Sequence, residues 1–224
     1  MYASFMVIDD FYDDPHEVRR IALSMDYPEP EVVENFPGRN SAQVMEVGGL
    51  DQGISRIVSE PLVAFKANPS SHGRFRVSLA GDDAQRRSNV HSDVLMNAEG
   101  AAPTLYWSGI VYLTLPEHCQ GGTEFYRHKP TGMDRAPLYE PELKKFGAAN
   151  YPQAADRIMD ADSRDPDKWE HLMTIPMRFN RLILLRPWLW HTAGLSFGDN
   201  KENGRLVQLF FFAIDPQQAQ PQPR

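Results

Sequence analysis

Three features are scarce in this 224-residue sequence: cysteine, long apolar runs and clustered positive charge. Cys119 is the only thiol, which excludes an intramolecular disulfide framework and any zinc or iron–sulfur site built on several cysteines. The longest apolar run near the C-terminus, residues 209–214, is far too short to cross a bilayer. We therefore expect a lone reduced thiol and no association with a membrane.

The charge balance is acidic. The chain has 30 Asp and Glu against 23 Lys and Arg, a formal net charge of -7 at pH 7. Binding to a nucleic-acid backbone requires a basic footprint, so nucleic acid is not an expected partner. The N-terminal residues also lack a basic region followed by a long apolar stretch, so no secretory signal is evident. We expect a cytoplasmic protein.

The apolar pattern changes its period along the chain. Near the N-terminus apolar residues recur at helical spacing, whereas from about residue 74 they alternate with a period of two. A polar, proline-containing loop is predicted at 27–42, and helices at 13–25, 51–65, 140–147 and 152–161. Strands are predicted at the following segments: 4–12, 74–80, 88–94, 104–115, 121–128, 180–187, 189–197 and 204–214.

Short strands separated by turns, with helices gathered at the N-terminus, indicate a mainly β fold, a sandwich or barrel with helical additions. With 42% apolar residues and no linker, we expect a single domain over 1–216 and a disordered, low-complexity tail over 217–224. The polar segment 128–179 interrupts the strand pattern as a partly helical insertion. It is a candidate lid or substrate-recognition element, or alternatively a surface elaboration or an oligomer contact.

The sequence Asn-Val-His-Ser-Asp-Val at residues 89–94 places a histidine and a carboxylate two positions apart. Successive side chains of an extended segment point to opposite faces, so His91 and Asp93 are expected to share one face. Such a pair suits two ligands of one metal ion. It also suits a simple His–Asp hydrogen bond on a strand.

A third ligand has to come from the other six histidines. His191 follows a strongly apolar strand, where an ionisable side chain must be paired, coordinated or neutral. A core histidine bonded to a backbone carbonyl is the alternative. Two imidazoles and one carboxylate form the facial triad of non-haem Fe(II) oxygenases, which leaves three metal positions open. Zinc binds similar ligand sets, but the short His-Glu-x-x-His pattern of zinc proteases is absent from the sequence.

The sequence resembles the Fe(II)/2-oxoglutarate-dependent dioxygenases, in particular their prolyl-hydroxylase-like branch. The resemblance rests on five segments in order: HSD, SGIVYLTL, GGTEFY, NRLILLRPWLWHTAG and GRLVQLFFFA. It implies a double-stranded β-helix (jelly-roll, cupin-like) core, Fe(II) held by His91, Asp93 and His191, and 2-oxoglutarate and O2 as cosubstrates. It implies hydroxylation of an unactivated C–H bond of an amino acid, a peptide or a small metabolite, with release of succinate and CO2. No catalytic residue beyond the metal ligands is expected.

The resemblance also assigns a basic residue at the start of the last strand to the far carboxylate of 2-oxoglutarate. Arg205, 14 positions after His191, occupies that place. The planar guanidinium of arginine can bind a buried carboxylate at two points. Without the triad, Arg205 beside Gly204 would be interpreted as a surface arginine in a turn.

Several neighbouring residues are weaker candidates. Tyr112 and Thr192 are candidate hydrogen-bond partners of the cosubstrate, or else strand and core residues. Trp107, Tyr126 and Trp190 are candidate residues of the substrate pocket, although large aromatic side chains more often serve packing.

Two other functions stay open at this point. One is a cupin-like metalloprotein that uses the same triad without 2-oxoglutarate. The other is a non-enzymatic β-sandwich binding module in which the His-x-Asp pair is accidental. Arg205→Ala separates the first from the oxygenase, because only the oxygenase would lose turnover of 2-oxoglutarate. Stoichiometric uptake of Fe(II) separates the oxygenase from the binding module, because only the oxygenase would bind the metal.

Overall fold

The computed structural model describes residues 4–30, 36–65, 72–84, 89–96 and 104–215, which form ten strands and four α-helices. The helices are α1 (Pro15–Ser24), α2 (Leu50–Val58), α3 (Glu140–Lys145) and α4 (Tyr151–Asp162). The strands are β1 (Phe5–Ile8), β2 (Arg39–Val44), β3 (Leu62–Ala64), β4 (Arg74–Ser78), β5 (Trp107–Tyr112), β6 (Gly122–His128), β7 (Trp169–Pro176), β8 (Leu182–Leu185), β9 (His191–Thr192) and β10 (Arg205–Ile214). Within these ranges no helix has the length and apolar character needed to cross a membrane.

The strands form two antiparallel sheets. The large sheet has the order β1-β8-β5-β10-β4-β2, and β3 also pairs with β10. The small sheet has the order β7-β6-β9. The predicted mainly β architecture with helical additions is therefore confirmed.

The central strand β10 is buried on both faces because its side chains alternate between two apolar cores. Leu206, Phe210 and Phe212 pack into the core beneath α1 and α2. Val207 and Leu209 point the other way, into a core between the two sheets. That inter-sheet core consists of apolar side chains from both sheets and two loop residues: Tyr112, Phe125, Ile175, Met177, Ile183, Leu185, Phe197, Val207 and Leu209.

Helix α1 has the predicted start. Asp14 caps it by accepting a hydrogen bond from the Glu17 backbone N–H, and Pro15 fills the first turn. The helix predicted over 51–65 is too long, because α2 ends at Val58. Ser59 follows it with a φ of 57°, in the left-handed region, and the chain then continues as β3.

Four other predicted elements differ from the structure. The described part of the predicted loop 27–42 includes the start of β2, which pairs with β4. The predicted strands 88–94 and 189–197 reduce to a one-residue bridge at His91 and to the two residues of β9. Strand β7 lies inside the segment 128–179, which is therefore only partly an insertion. Polar and apolar residues do not alternate regularly along β7, so the periodicity of the sequence does not predict its pairing with β6.

The helices predicted at 140–147 and 152–161 are confirmed as α3 and α4. The role of 128–179 as a lid stays a prediction. The predicted tail 217–224 lies outside the described residues.

Gly122 at the start of β6 is expected to be essential for packing of the small sheet. A Cβ added there would lie 2.0 Å from the backbone oxygen of Ile175 on the paired strand. We expect Gly122→Ala to lower the free energy of unfolding by about 3 kcal/mol, the upper end of typical overpacking costs. Gly53 in α2 has no atom within 4 Å of an added Cβ, so Gly53→Ala is the control. It should stabilise the protein by about 0.5–1 kcal/mol in the same urea titrations. Equal stabilities of wild type and Gly122→Ala would contradict the close backbone approach.

Candidate metal centre

Two histidines and one aspartate meet where the small sheet approaches the segment 89–96. His91, Asp93 and His191 offer ligand atoms that all lie within 4.8 Å of one another. The Nε2 atoms of His91 and His191 are 3.7 Å and 3.5 Å from the two carboxylate oxygens of Asp93. These separations exceed those of normal hydrogen bonds, and they are suited to ligands that surround one ion. The predicted ligands are thus brought together.

Each imidazole is oriented by a backbone carbonyl two residues earlier. His91 Nδ1 lies 3.0 Å from the Asn89 oxygen, and His191 Nδ1 lies 2.8 Å from the Leu189 oxygen. Because a carbonyl oxygen only accepts hydrogen bonds, Nδ1 carries the proton in both rings. In the neutral form of each ring the lone pair is therefore on Nε2, the atom that faces Asp93.

Backbone pairing brings the two distant ligand segments together. The N–H groups of His91 and His191 donate to each other's carbonyl oxygens at 2.9 Å and 3.0 Å, which forms a one-residue antiparallel bridge. The Asp93 N–H donates to the Pro187 oxygen at 2.7 Å. Ser108 on β5 donates its hydroxyl to the Asp93 carboxylate at 3.0 Å. This hydrogen bond connects the Asp93 carboxylate to the large sheet.

The electrostatics of the site favour a bound cation. Burial raises the pKa of Asp93, but the nearby His191 and His91 and the hydrogen bond from Ser108 outweigh it, so this pKa lies well below its usual value. Burial lowers the pKa of His191, but the Asp93 charge and the Leu189 carbonyl outweigh it, so that pKa is raised. The Asp93 carboxylate thus stays ionised beside the two imidazoles, as a ligand of a divalent ion must be.

Arg205 is a buried residue and not a surface arginine, since only 3% of it is exposed. Its guanidinium carbon lies 5.7 Å from the centroid of the Tyr112 ring. The Tyr112 hydroxyl and the Thr123 hydroxyl are 2.7 Å apart. Burial raises the pKa of Tyr112 although Arg205 and Thr123 act in the other direction, so the phenol keeps its proton. A cation and two hydroxyl groups therefore share one buried location.

This polar cluster and the metal triad belong to the same inter-sheet space. Phe125 on β6 pairs directly with His191, and Thr123 lies two residues, about 7 Å, further along the same face. On β5, Ser108 beside the carboxylate and Tyr112 beside Arg205 share one face and lie about 13 Å apart. Buried apolar side chains of the inter-sheet core, among them Phe125 and Val207, pack beside these two positions.

The weaker candidates lie elsewhere. Thr192 points to the face opposite His191 and donates its hydroxyl to the Asn89 side-chain oxygen at 3.2 Å. Trp107 is fully buried in the core beneath α1 and α2, and Trp190 in a core beside α4. Tyr126 is half-buried and donates its hydroxyl to a glutamate of the same strand. The cosubstrate and substrate contacts of these four residues stay predictions.

Comparison with known proteins assigns the chain to a family. The family model DUF6445, described as a family of unknown function, matches residues 2–212. The chain belongs to the DUF6445 family. No curated protein matches its sequence.

Two solved structures are similar in fold to this DUF6445 member. HygX from Streptomyces hygroscopicus, solved with nickel, 2-oxoglutarate and hygromycin B bound, has a TM-score of 0.50 and 15% identity. The match covers 94% of this chain and 83% of HygX. The non-haem α-ketoglutarate-dependent carbocyclase SnoK from nogalamycin biosynthesis has a TM-score of 0.52 and 11% identity. That match covers 94% of this chain and 79% of SnoK. The predicted resemblance to 2-oxoglutarate-dependent oxygenases is thus confirmed at the level of the fold.

Ser108, Thr123 and Asn89 contribute to the site without having been predicted as site residues. Ser108 could have been identified, because on a strand it lies on the same face as Tyr112, four residues on. Thr123 becomes informative only through its hydrogen bond to Tyr112 on the other sheet. His128 is buried and lies 2.9 Å from the Asp162 carboxylate, because α4 covers this face of the small sheet.

Proposed function

We propose that this protein is an Fe(II)/2-oxoglutarate-dependent oxygenase, built on a double-stranded β-helix, that hydroxylates an unactivated C–H bond of an amino acid, peptide or small metabolite. One observation supports the proposal: the His91–Asp93–His191 cluster lies beside Ser108 and the buried Arg205 lies beside Tyr112, on one face of β5. The 2-oxoglutarate bound to HygX and the cosubstrate dependence of SnoK support it.

The donor set fits Fe(II). His91 and His191 supply neutral imidazole nitrogens and Asp93 supplies an ionised carboxylate, which together neutralise part of the charge and leave coordination positions open. When bound, the iron would supply O2 activation coupled to the decarboxylation of 2-oxoglutarate to succinate and CO2, with the second oxygen atom transferred to substrate. The retained Asp93 favours hydroxylation over halogenation, for which a halide must replace a carboxylate ligand.

The other residues of the site bind and shield the cosubstrate. Arg205 binds the C5 carboxylate with its guanidinium, because a buried carboxylate requires a charged and hydrogen-bonding partner. The protonated Tyr112 hydroxyl donates a further hydrogen bond at the same end, while Thr123 orients that hydroxyl. Phe125 and Val207 keep water away from the space between this end and the metal.

The proposal is tested by anaerobic titration of the full chain with Fe(II), followed by exposure to O2 with 2-oxoglutarate and measurement of succinate. We expect one Fe(II) per chain and succinate formation that requires both iron and 2-oxoglutarate. Iron uptake without any consumption of 2-oxoglutarate would favour the cupin-like metalloprotein instead. Absence of iron uptake would favour the binding module.

The substrate is then sought among compounds that raise the rate of succinate formation. Amino acids, short peptides and small polar metabolites form the initial panel, since HygX was crystallised with the small molecule hygromycin B. A true substrate is expected to gain one oxygen atom for each succinate formed, which mass spectrometry measures.

A further inference from the structure

The segment that carries two of the three proposed ligands has little sheet structure of its own. Among the described residues 89–96 there is no strand, and His91 joins the small sheet only through its bridge to His191. The geometry of a metal site depends on rigid support of its ligands. Other contacts must therefore hold this segment.

Helix α4 contacts the segment 89–96 through residues at both ends of the helix. At the C-terminal end of the helix, the Ser163 hydroxyl accepts the Asn89 N–H at 2.7 Å and donates to the Val90 oxygen at 2.8 Å. At the first residue of the helix, the Tyr151 hydroxyl lies 2.7 Å from the Ser92 hydroxyl. The two contacts flank the first ligand of the triad on both sides along the chain.

The C-terminal end of α4 is in turn attached to the small sheet. His128 on β6 contacts the Asp162 carboxylate at 2.9 Å, and Trp169 on β7 donates its Nε1–H to the Asp162 backbone oxygen at 2.8 Å. Strand β6 also pairs with β9, which carries His191. The helix therefore fixes the first two ligands relative to the strands that hold the third.

Apolar packing completes the connection between α4, the ligand segment and the small sheet. Val90 and Val94 lie on either side of His91 and Asp93. They pack into one buried cluster with residues of α4 and with Trp169 and Trp190. The buried members of this cluster are Val90, Val94, Ala136, Tyr151, Ala155, Ile158, Trp169 and Trp190.

We propose that α4 is a positioning element of the metal centre, and that it acts through the Ser163 and Tyr151 hydroxyls on the backbone and side chain of the ligand segment. The inference rests on the proposed function, because it concerns the same metal site. Loss of the Ser163 hydroxyl leaves the Asn89 N–H and the Val90 oxygen without that partner. His91 and Asp93 then spend less time in the geometry that binds the metal.

The test compares Fe(II) affinity with stability in the full-length protein. Ser163→Ala is expected to weaken Fe(II) binding about 10-fold or more in anaerobic calorimetric titrations, as other changes around metal ligands do. Tyr151→Phe, which keeps the ring, is expected to act in the same direction and replaces Ser163→Ala if that variant does not fold. The thermal midpoint of each apoprotein is measured in parallel.

Ser41→Ala is the matched control. Ser41 is also a fully buried serine whose hydroxyl accepts one backbone N–H and donates to one backbone oxygen, on the edge strand β2. Two strands, β4 and β10, separate β2 from β5, the strand beside Asp93. Ser41→Ala should reduce thermal stability comparably and leave the Fe(II) affinity within about twofold of wild type, as expected for a remote site.

The possible failures are distinguishable. Unchanged Fe(II) affinity in the α4 variants would overturn the positioning role alone, and so would an equal loss of affinity in Ser41→Ala. A wild-type protein that takes up no Fe(II) would overturn the proposed function and this inference together.

Discussion

His191→Ala is expected to abolish stoichiometric Fe(II) binding and, with it, formation of succinate. The substitution removes one of two imidazole ligands and leaves Asp93 with a single remaining histidine at 3.7 Å. It also removes a side chain that is buried and oriented by the Leu189 carbonyl. We expect a loss of at least about 100-fold in Fe(II) affinity, the upper range for perturbed ligand shells.

The control for this variant is His171→Ala. His171 is an exposed histidine on β7 and does not belong to the ligand cluster. The His171→Ala variant should bind one Fe(II) with wild-type affinity in the same titration. Retained iron binding and turnover in His191→Ala would contradict the shared metal site.

Arg205→Ala is expected to separate binding of 2-oxoglutarate from binding of iron. Fe(II) affinity should be unchanged, because Arg205 is not a ligand. The concentration of 2-oxoglutarate needed for half-maximal succinate formation should rise about 100-fold or more, since loss of one partner of a buried charge pair costs about 2–5 kcal/mol. Initial rates at varied 2-oxoglutarate measure the shift.

Two further variants sharpen this result. Arg205→Lys keeps the charge but not the planar fork, so it should recover only part of the 2-oxoglutarate affinity. Arg178→Ala removes an exposed arginine that pairs with Asp9, and it should leave 2-oxoglutarate turnover unchanged. If Arg205→Ala turned over 2-oxoglutarate like wild type, the buried arginine would not be the carboxylate partner. Iron-dependent activity that needs no 2-oxoglutarate would then favour the cupin-like alternative.

The parts of the fold that were predictable are those in which local pattern and tertiary structure agree. Helix α1 has a capping Asp14, Pro15 and apolar residues at helical spacing, and it forms where these signals place it. Strand β10 is a long apolar run, and burial on both faces explains that run. In both cases the sequence pattern directly reflects which faces are covered.

The missed elements depend on contacts between distant residues. Strand β7 shows no regular alternation of polar and apolar residues, and its residues between Trp169 and Ile175 are not buried, so only its pairing with β6 defines it. The sequence pattern predicts a full strand around His91, whereas the structure holds this segment through α4 and a single bridge. Periodicity carries no information about such supports.

The clustering of His91, Asp93 and His191 was predictable for a different reason. A histidine and an aspartate two positions apart share a face in any extended conformation, and His191 stands out because its surroundings are apolar. The supporting residue Ser163 has no comparable signal in the sequence, and its role follows only from the contacts that it makes.

The most direct test of the account is a crystal structure of the protein soaked anaerobically with Fe(II) and 2-oxoglutarate, with anomalous diffraction recorded at the iron absorption edge. The account predicts one strong anomalous peak about 2.0–2.2 Å from His91 Nε2, His191 Nε2 and an Asp93 carboxylate oxygen, with 2-oxoglutarate extending toward Arg205. An iron peak at any other place, or no peak between these three side chains, would contradict it.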